Sequence, residues 1–206
     1  FALHRKHGSQ LRSGQIRHII IPDLLTPLNK AKDQADQFIT FMNGVIEEGI
    51  ARVESQKSNF VVTDPVRCGF ITTLAKKELD KRRDRWASVG FLSRMLPISY
   101  SYSLDTVAEI FEYITDRKYL SEMVPRMDMP SDTEVILPRA ISEGCVSMAK
   151  LLKDDMDEYG FRRLKQIQTY LMGHALMCGR TTVEEEDFHA FLDISRFVGY
   201  YCTAEI

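Results

Sequence analysis

The sequence has no phosphate-cradling loop. The pattern Gly-x-x-x-x-Gly-Lys-Ser/Thr occurs nowhere, and the only glycines ahead of position 23 are Gly8 and Gly14, neither followed by Lys-Ser or Lys-Thr. Without such a loop and its lysine a chain cannot wrap nucleotide phosphates in backbone N–H groups, so the 206 residues alone are expected to bind ATP weakly or not at all. No apolar run approaches the ~20 residues that cross a bilayer, so no membrane anchor is expected. The four cysteines, Cys68, Cys145, Cys178 and Cys202, form no Cys-x-x-Cys pair, and nothing resembles a secretory signal. Both fit a reduced, cytoplasmic chain with free thiols. There is also no excess of one charge: 27 basic and 29 acidic residues give a net −2. That excludes a surface that coats nucleic acid generally and leaves room only for a local basic patch.

What is present divides into two characters. In residues 17–25, "RHIIIPDLL", three consecutive isoleucines ahead of Pro22 predict a short buried strand. Phe38, Phe41, Met42, Val45 and Ile46 recur at helical spacing and predict an amphipathic helix over 31–48, stopped by Gly49. A second strand is predicted at 68–73, "CGFITT", after an Asp64-Pro65 turn, followed by one charged helix over 75–89. The alternation of "PISYSYS" predicts a third strand at 98–102. From Leu104 the pattern is helical throughout. Apolar stripes run through Leu104, Val107, Ala108, Phe111 and Ile114, then Ile141, Cys145, Met148 and Leu152, then Leu164, Ile167, Leu171 and Ala175. The last helix opens on a Thr182/Glu185 capping-box spacing and is expected to bury Phe188, Phe191 and Leu192. A loop is expected at 125–132. The fold class is thus α/β followed by all-α, with a partial layer over 1–103 and a helical domain over 104–206.

The order of these pieces carries a resemblance. A strand closing on Asp, a helix, a strand closing on Thr-Thr, the segment "FLSRML", a further strand and a helical lid are similar to the second half of an AAA+ ATPase core. The likeness is to the branch holding minichromosome-maintenance helicases and magnesium chelatases, and covers about residues 17–197. The resemblance implies an oligomeric, DNA-linked, helicase- or motor-like ATPase that uses ATP and Mg²⁺ and assembles into a ring, expected to be a hexamer. Because the family carries its phosphate loop ahead of the first of these strands, the start at Phe1 leads to the expectation that an N-terminal half has been cut away.

The resemblance also implies site residues. Asp23 stands at the Walker B carboxylate, a Mg²⁺ ligand through water at the end of a strand; read from its own residues, it could equally close an Asx turn after Pro22. Leu24 departs from the family, which places there the glutamate that polarises the attacking water. Glu47 and Glu48 are substitutes, or else a solvated helix end. Thr72 and Thr73 occupy the sensor 1 place, and which of them faces the site stays open. Arg94 takes the arginine-finger place, at a helix end expected to face outward, where a planar fork can grip phosphate oxygens of a neighbour's nucleotide. Arg162 fits the sensor 2 arginine, with Leu164 and the Val183 to Asp187 spacing completing the pattern, and Arg163 is its competitor. The alternative class is a non-catalytic AAA+-like interaction or DNA-binding module, in which the missing loop and glutamate are genuine losses.

The cationic run Lys76, Lys77, Lys81, Arg82, Arg83 and Arg85 could meet DNA, but interleaved Glu78, Asp80 and Asp84 favour a solvated face. His174 and Cys178 share a helix face without a third ligand nearby in sequence, which favours a packed pair over zinc. His4 and His7 make the same weak case.

Overall fold

In the computed structural model the described residues are 3–55, 58–120, 133–154, 157–201 and 204–206. The protein is mixed α/β with two small two-stranded sheets among the described residues, and its contacts divide it into two units, 1–94 and 95–206. Segment 95–103 therefore belongs to the second unit. The expected loop at 125–132 lies outside the described residues.

The first unit opens with helix α1 (Leu3–Arg12) and strand β1 (His18–Ile21). β1 pairs in parallel with β4 (Gly69–Thr72), in the register His18↔Gly69 to Ile21↔Thr72. Only one face of β1 is buried. Ile19 is in the core, while Ile20 and its register partner Ile71 are 65% and 58% exposed, so the expected buried strand is buried on one side alone. After β1 a short helix α2 (Leu25–Leu28) leads to α3 (Lys32–Asn43), which buries Phe38, Ile39 and Met42 as its periodicity predicts.

The helix then widens. Gly44–Glu48 is a π-helical turn, closed by the Gly49 N–H donating to Gly44 O at 2.7 Å. Gly49 has φ +84°, and a β-carbon there would come 2.6 Å from that of Pro65, so this turn requires glycine. It releases the chain into an antiparallel hairpin, β2 (Ile50–Ser55) and β3 (Ser58–Val66). The hairpin is absent from the sequence expectation, and Asp64 and Pro65, read there as a turn, lie inside β3.

The charged helix expected over 75–89 is two short ones, α4 (Lys76–Asp80) and α5 (Arg83–Ser88), with Leu79 and Trp86 buried. Trp86 meets Phe91 edge to face, centroids 5.7 Å apart, ahead of a 3₁₀ turn at Leu92–Arg94.

In the second unit, 98–102 is not a sheet strand. Its backbone is laced along the C-terminal segment: Ser99 N–H donates to Phe197 O at 2.9 Å, Ser101 N–H to Ala204 O at 3.1 Å and Ile206 N–H to Ser101 O at 3.0 Å. Ser103 caps α6 (Leu104–Thr115) by accepting the Thr106 N–H at 3.1 Å. No residue of α6 is buried, so its apolar stripe is exposed, Leu104 by 88%. The core is instead made by α7 (Arg139–Leu151), α8 (Phe161–Met177) and α9 (Glu185–Ser195), through Cys145, Ala149, Ile167, Leu171, Ala175, Val183 and Phe191. In α9 Phe191 is fully buried, Phe188 packs at the core's edge, and Leu192 is exposed. No helix among the described residues is long and apolar enough to cross a membrane.

Candidate functional site

Parallel pairing of β1 with β4 brings three expected site residues to one strand end. Thr72 Oγ1 donates to Ile21 O at 2.7 Å, Thr73 Oγ1 makes a close contact with Pro22 O, and Leu24 N–H donates to Thr73 O at 3.1 Å. Both hydroxyl protons are thus spent on the backbone of the β1 strand end, so the two oxygens can serve a further partner only as acceptors. Asp23 is exposed beyond this staple, and its Oδ1 accepts the Leu25 N–H at 2.9 Å, an Asx turn. The turn and a ligand role are compatible, because a carboxylate has roughly four acceptor sites. A carboxylate and two hydroxyl residues at one end of a strand pair offer oxygen donors alone, the kind a hard cation such as Mg²⁺ takes through water. Leu24 is buried in the first unit, on the core side of the chain.

Arg94 is elsewhere and is not the outward-facing residue expected. Its side chain is 12% exposed; Nε lies 2.8 Å from Glu47 Oε2, Nη2 lies 3.5 Å from Glu48 Oε1, and Nη1 donates to Gly90 O at 2.7 Å. The Nε contact is ionic without an aligned hydrogen bond. The π turn is the reason for the arrangement, since it carries Glu47 and Glu48 to the guanidinium. Glu47 is therefore held by Arg94 and is not a solvated helix end, whereas Glu48, 72% exposed, is the solvated end with only a 3.5 Å contact to the guanidinium.

In the second unit the two adjacent arginines of α8 differ. Arg163 is 4% exposed and fastened: Nη2 lies 3.3 Å from Asp154 Oδ2, Nη1 donates to Gln166 Oε1 at 2.8 Å and to Met95 O at 3.4 Å. Its backbone N–H is capped by Asp157 Oδ2 at 2.8 Å. Burial pushes the Tyr200 phenol well above its ordinary value, with Asp154 adding to the rise and Arg163 opposing it. Arg163 is thus a structural arginine, and Arg162, half-buried, is the one of the pair less enclosed.

The cationic run on α4 and α5 is largely neutralised within its own unit. Lys76 pairs with Asp80, Lys81 and Arg82 with Glu78, and Arg85 with Asp36.

The sequence placed Asp187 only as the close of the sensor 2 spacing and did not reveal its buried charge cluster. It is fully buried, and its carboxylate accepts Arg180 Nη1 on Oδ2 at 2.9 Å and Nη2 on Oδ1 at 2.8 Å, the Glu184 N–H at 2.8 Å, and contacts His174 Nδ1 at 2.6 Å. The capping box of α9 is accordingly Glu184/Asp187, not Thr182/Glu185. Burial alone would raise the Asp187 carboxyl, but the Glu184 N–H, His174 and Arg180 outweigh it and hold it below its ordinary value. The hydrogen bonds that Arg180 donates to Asp187, and a further one to Cys178, raise the guanidinium above its own ordinary value. The one available signal was His174, Cys178 and Arg180 ending α8 just ahead of an acidic run.

Among known proteins, no family model matches this chain and no curated protein matches it.

Proposed function

We propose that the chain supplies the Walker B acid, sensor residues and arginine finger of an AAA+ ATPase working as a DNA-linked ring. One observation carries the reading: Asp23 follows β1 while Thr72 and Thr73 close the parallel strand beside it, the end at which open α/β sheets bind ligands. The exposed face formed by Ile20 and Ile71 supports it, because parallel strands are ordinarily covered on both faces and belong to larger sheets. The phosphate loop that the reading requires is not in these 206 residues and must come from a preceding segment or another chain.

In this reading Asp23 holds the water shell of a magnesium ion, and the Thr72 and Thr73 oxygens accept from water beside it. The ion, when bound, neutralises phosphate charge as the terminal phosphoryl group leaves. Arg94 must exchange Glu47 and Glu48 for the phosphates of a neighbour's nucleotide, so its ion pair is a resting position. Arg162 is the sensor 2 candidate, with Arg163 held by Asp154 and Gln166.

A second reading, a non-catalytic AAA+-like interaction or DNA-binding module, is favoured by Leu24, an apolar residue turned into the core where hydrolysis needs a glutamate. Mg²⁺-dependent ATP hydrolysis by the whole protein that the gene encodes separates the two. The motor reading expects Asp23→Asn to abolish turnover and Arg94→Ala to lower it on the order of 10³-fold or more. Mixing the two variants should restore part of the activity at interfaces that combine an intact Asp23 with an intact Arg94. Turnover unchanged by both substitutions overturns the motor reading; a folded wild-type protein with no turnover establishes the module.

A further inference from the structure

The end of α8 and the start of α9 form a cluster to which the nucleotide reading assigns no contact with nucleotide or magnesium. One donor atom each of His174, Cys178 and Asp187 lies within 4.8 Å of the other two. His174 and Cys178 share a face because four residues are close to one helical turn, and the capping role of Asp187 brings its carboxylate to the same place. The imidazole Nδ1 is 2.6 Å from Asp187 Oδ1 and 4.0 Å from Cys178 Sγ.

This is not a nucleophilic relay. A thiol–imidazole–carboxylate relay needs the thiol at one ring nitrogen and the acid at the other, whereas here both face Nδ1. Donor atoms gathered this closely are what a metal site needs. We propose that His174 Nδ1, Cys178 Sγ and a carboxylate oxygen of Asp187 bind Zn²⁺, with a fourth position left for water.

Tetrahedral zinc with bonds of ~2.0–2.3 Å holds its donor atoms ~3.3–3.8 Å apart. The His174–Asp187 contact is shorter than this, the His174–Cys178 contact slightly longer and the Cys178–Asp187 separation no more than 4.8 Å, so zinc would draw the thiol in by side-chain rotation and part the imidazole from the carboxylate. A set of one nitrogen, one sulfur and one oxygen selects zinc or cobalt over magnesium and calcium, which take oxygen alone.

Arg180 is the feature that must be reconciled, since its fork already grips both oxygens of Asp187 and interacts with Cys178. The ion takes the place of the proton between His174 and Asp187, and Arg180 keeps Oδ2 as the outer partner that orients a ligating carboxylate. Glu184, 3.1 Å from Arg180 Nη1, and Glu186, 3.9 Å from Nη2, complete the charged groups around it. Charge also balances: a dication with one thiolate and one carboxylate is neutral, so the guanidinium meets no net positive charge. Binding releases the Cys178 thiol proton and leaves His174 with its proton on Nε2.

The test is cobalt titration of the metal-stripped 206-residue chain, followed by absorption. A thiolate-to-cobalt charge-transfer band in the near ultraviolet, displaced by zinc and lost in Cys178→Ser, is the expected result. Cys178 is exposed, so that variant retains its fold, checked by circular dichroism. His174→Gln, a half-exposed position, should weaken cobalt binding at least tenfold while the chain stays folded. No charge-transfer band at saturating cobalt overturns the proposal, and so does a band that persists in Cys178→Ser, because it then belongs to another cysteine. Zinc should also raise the melting temperature of the wild type and not of Cys178→Ser; an equal rise in both counts against the site.

Discussion

The two units close their apolar surface in opposite ways. In the second, three helices turn one stripe each inward, and the residues they bury, Ile167, Leu171 and Phe191 among them, are wholly removed from water. In the first, the parallel pair β1–β4 buries Ile19 and turns Ile20 and Ile71 outward together. A helical stripe is completed by one or two neighbours, which α7, α8 and α9 give one another, although the stripe of α6 stays exposed. A parallel strand pair needs a layer on each face and further strands at its edges. The first unit has a core under one face only, and the comparison sets a three-helix core closed on itself against a strand pair with one open face.

That contrast can be broken most directly in the second unit. Phe191→Ala removes the largest wholly buried side chain of its core and should cost about 3–5 kcal/mol, read as a lowered urea midpoint. A loss below about 1 kcal/mol would mean that the helical core is not close-packed.

Asp187→Asn should come next. Breaking a buried pair costs ~3–5 kcal/mol, and the lower end applies because Arg180 and His174 reach solvent, so about 3 kcal/mol is expected. The effect has a pH signature. The folded carboxyl lies below its ordinary value near 3.8, so its contribution is complete above that pH and disappears as pH falls through the depressed value. Urea midpoints followed down to about pH 2 should therefore converge for wild type and Asp187→Asn. A constant gap would show that the stabilisation does not come from ionised Asp187.

The smallest effect belongs to the open sheet. Ile71→Thr keeps strand propensity on an exposed face and should change stability by no more than ~0.5 kcal/mol. In a larger assembly that covers this face, the same substitution should weaken association, read by sedimentation. A substantial loss of stability in the 206-residue chain would show that Ile71 is already covered, which would remove the contrast between the units.

How much of this was legible in the sequence depends on the range of each interaction. Helices α3, α7, α8 and α9 announced themselves because apolar spacing is a local signal. The hairpin did not, since Asp64 and Pro65 carry a strong turn signal, and they sit at the register break between the Ile50 and Arg52 pairings, where β3 bulges instead of ending. Residues 98–102 alternate as a strand does, but alternation reports extended backbone and not its partner, and the partner is the C-terminal segment. The stripe of α6 is as regular as that of α7 and is nevertheless exposed, because periodicity marks a face without saying what covers it. At the candidate site, Asp23 and the two threonines could be read from strand ends. Arg94 with Glu47 could not, because the pairing joins the end of the unit's sequence to its middle, 47 residues away, through a π turn. Within the acidic run from Glu184 to Asp187, nothing in the residue types says which acid folds inward; the close of α8 decides it.

The π turn has a consequence for how this protein can change. A π turn holds one more residue per hydrogen-bonded loop than an α turn does. Deleting a single residue from Gly44–Glu48 would restore an α-helix and swing everything beyond it by about 100° around the axis. Glu47 and Glu48 would leave Arg94, and the hairpin would depart in a new direction, with no core side chain altered. The aim of the acid pair and of the hairpin is therefore set by chain length at one point, and insertion or deletion there would move them as a block where substitution could not.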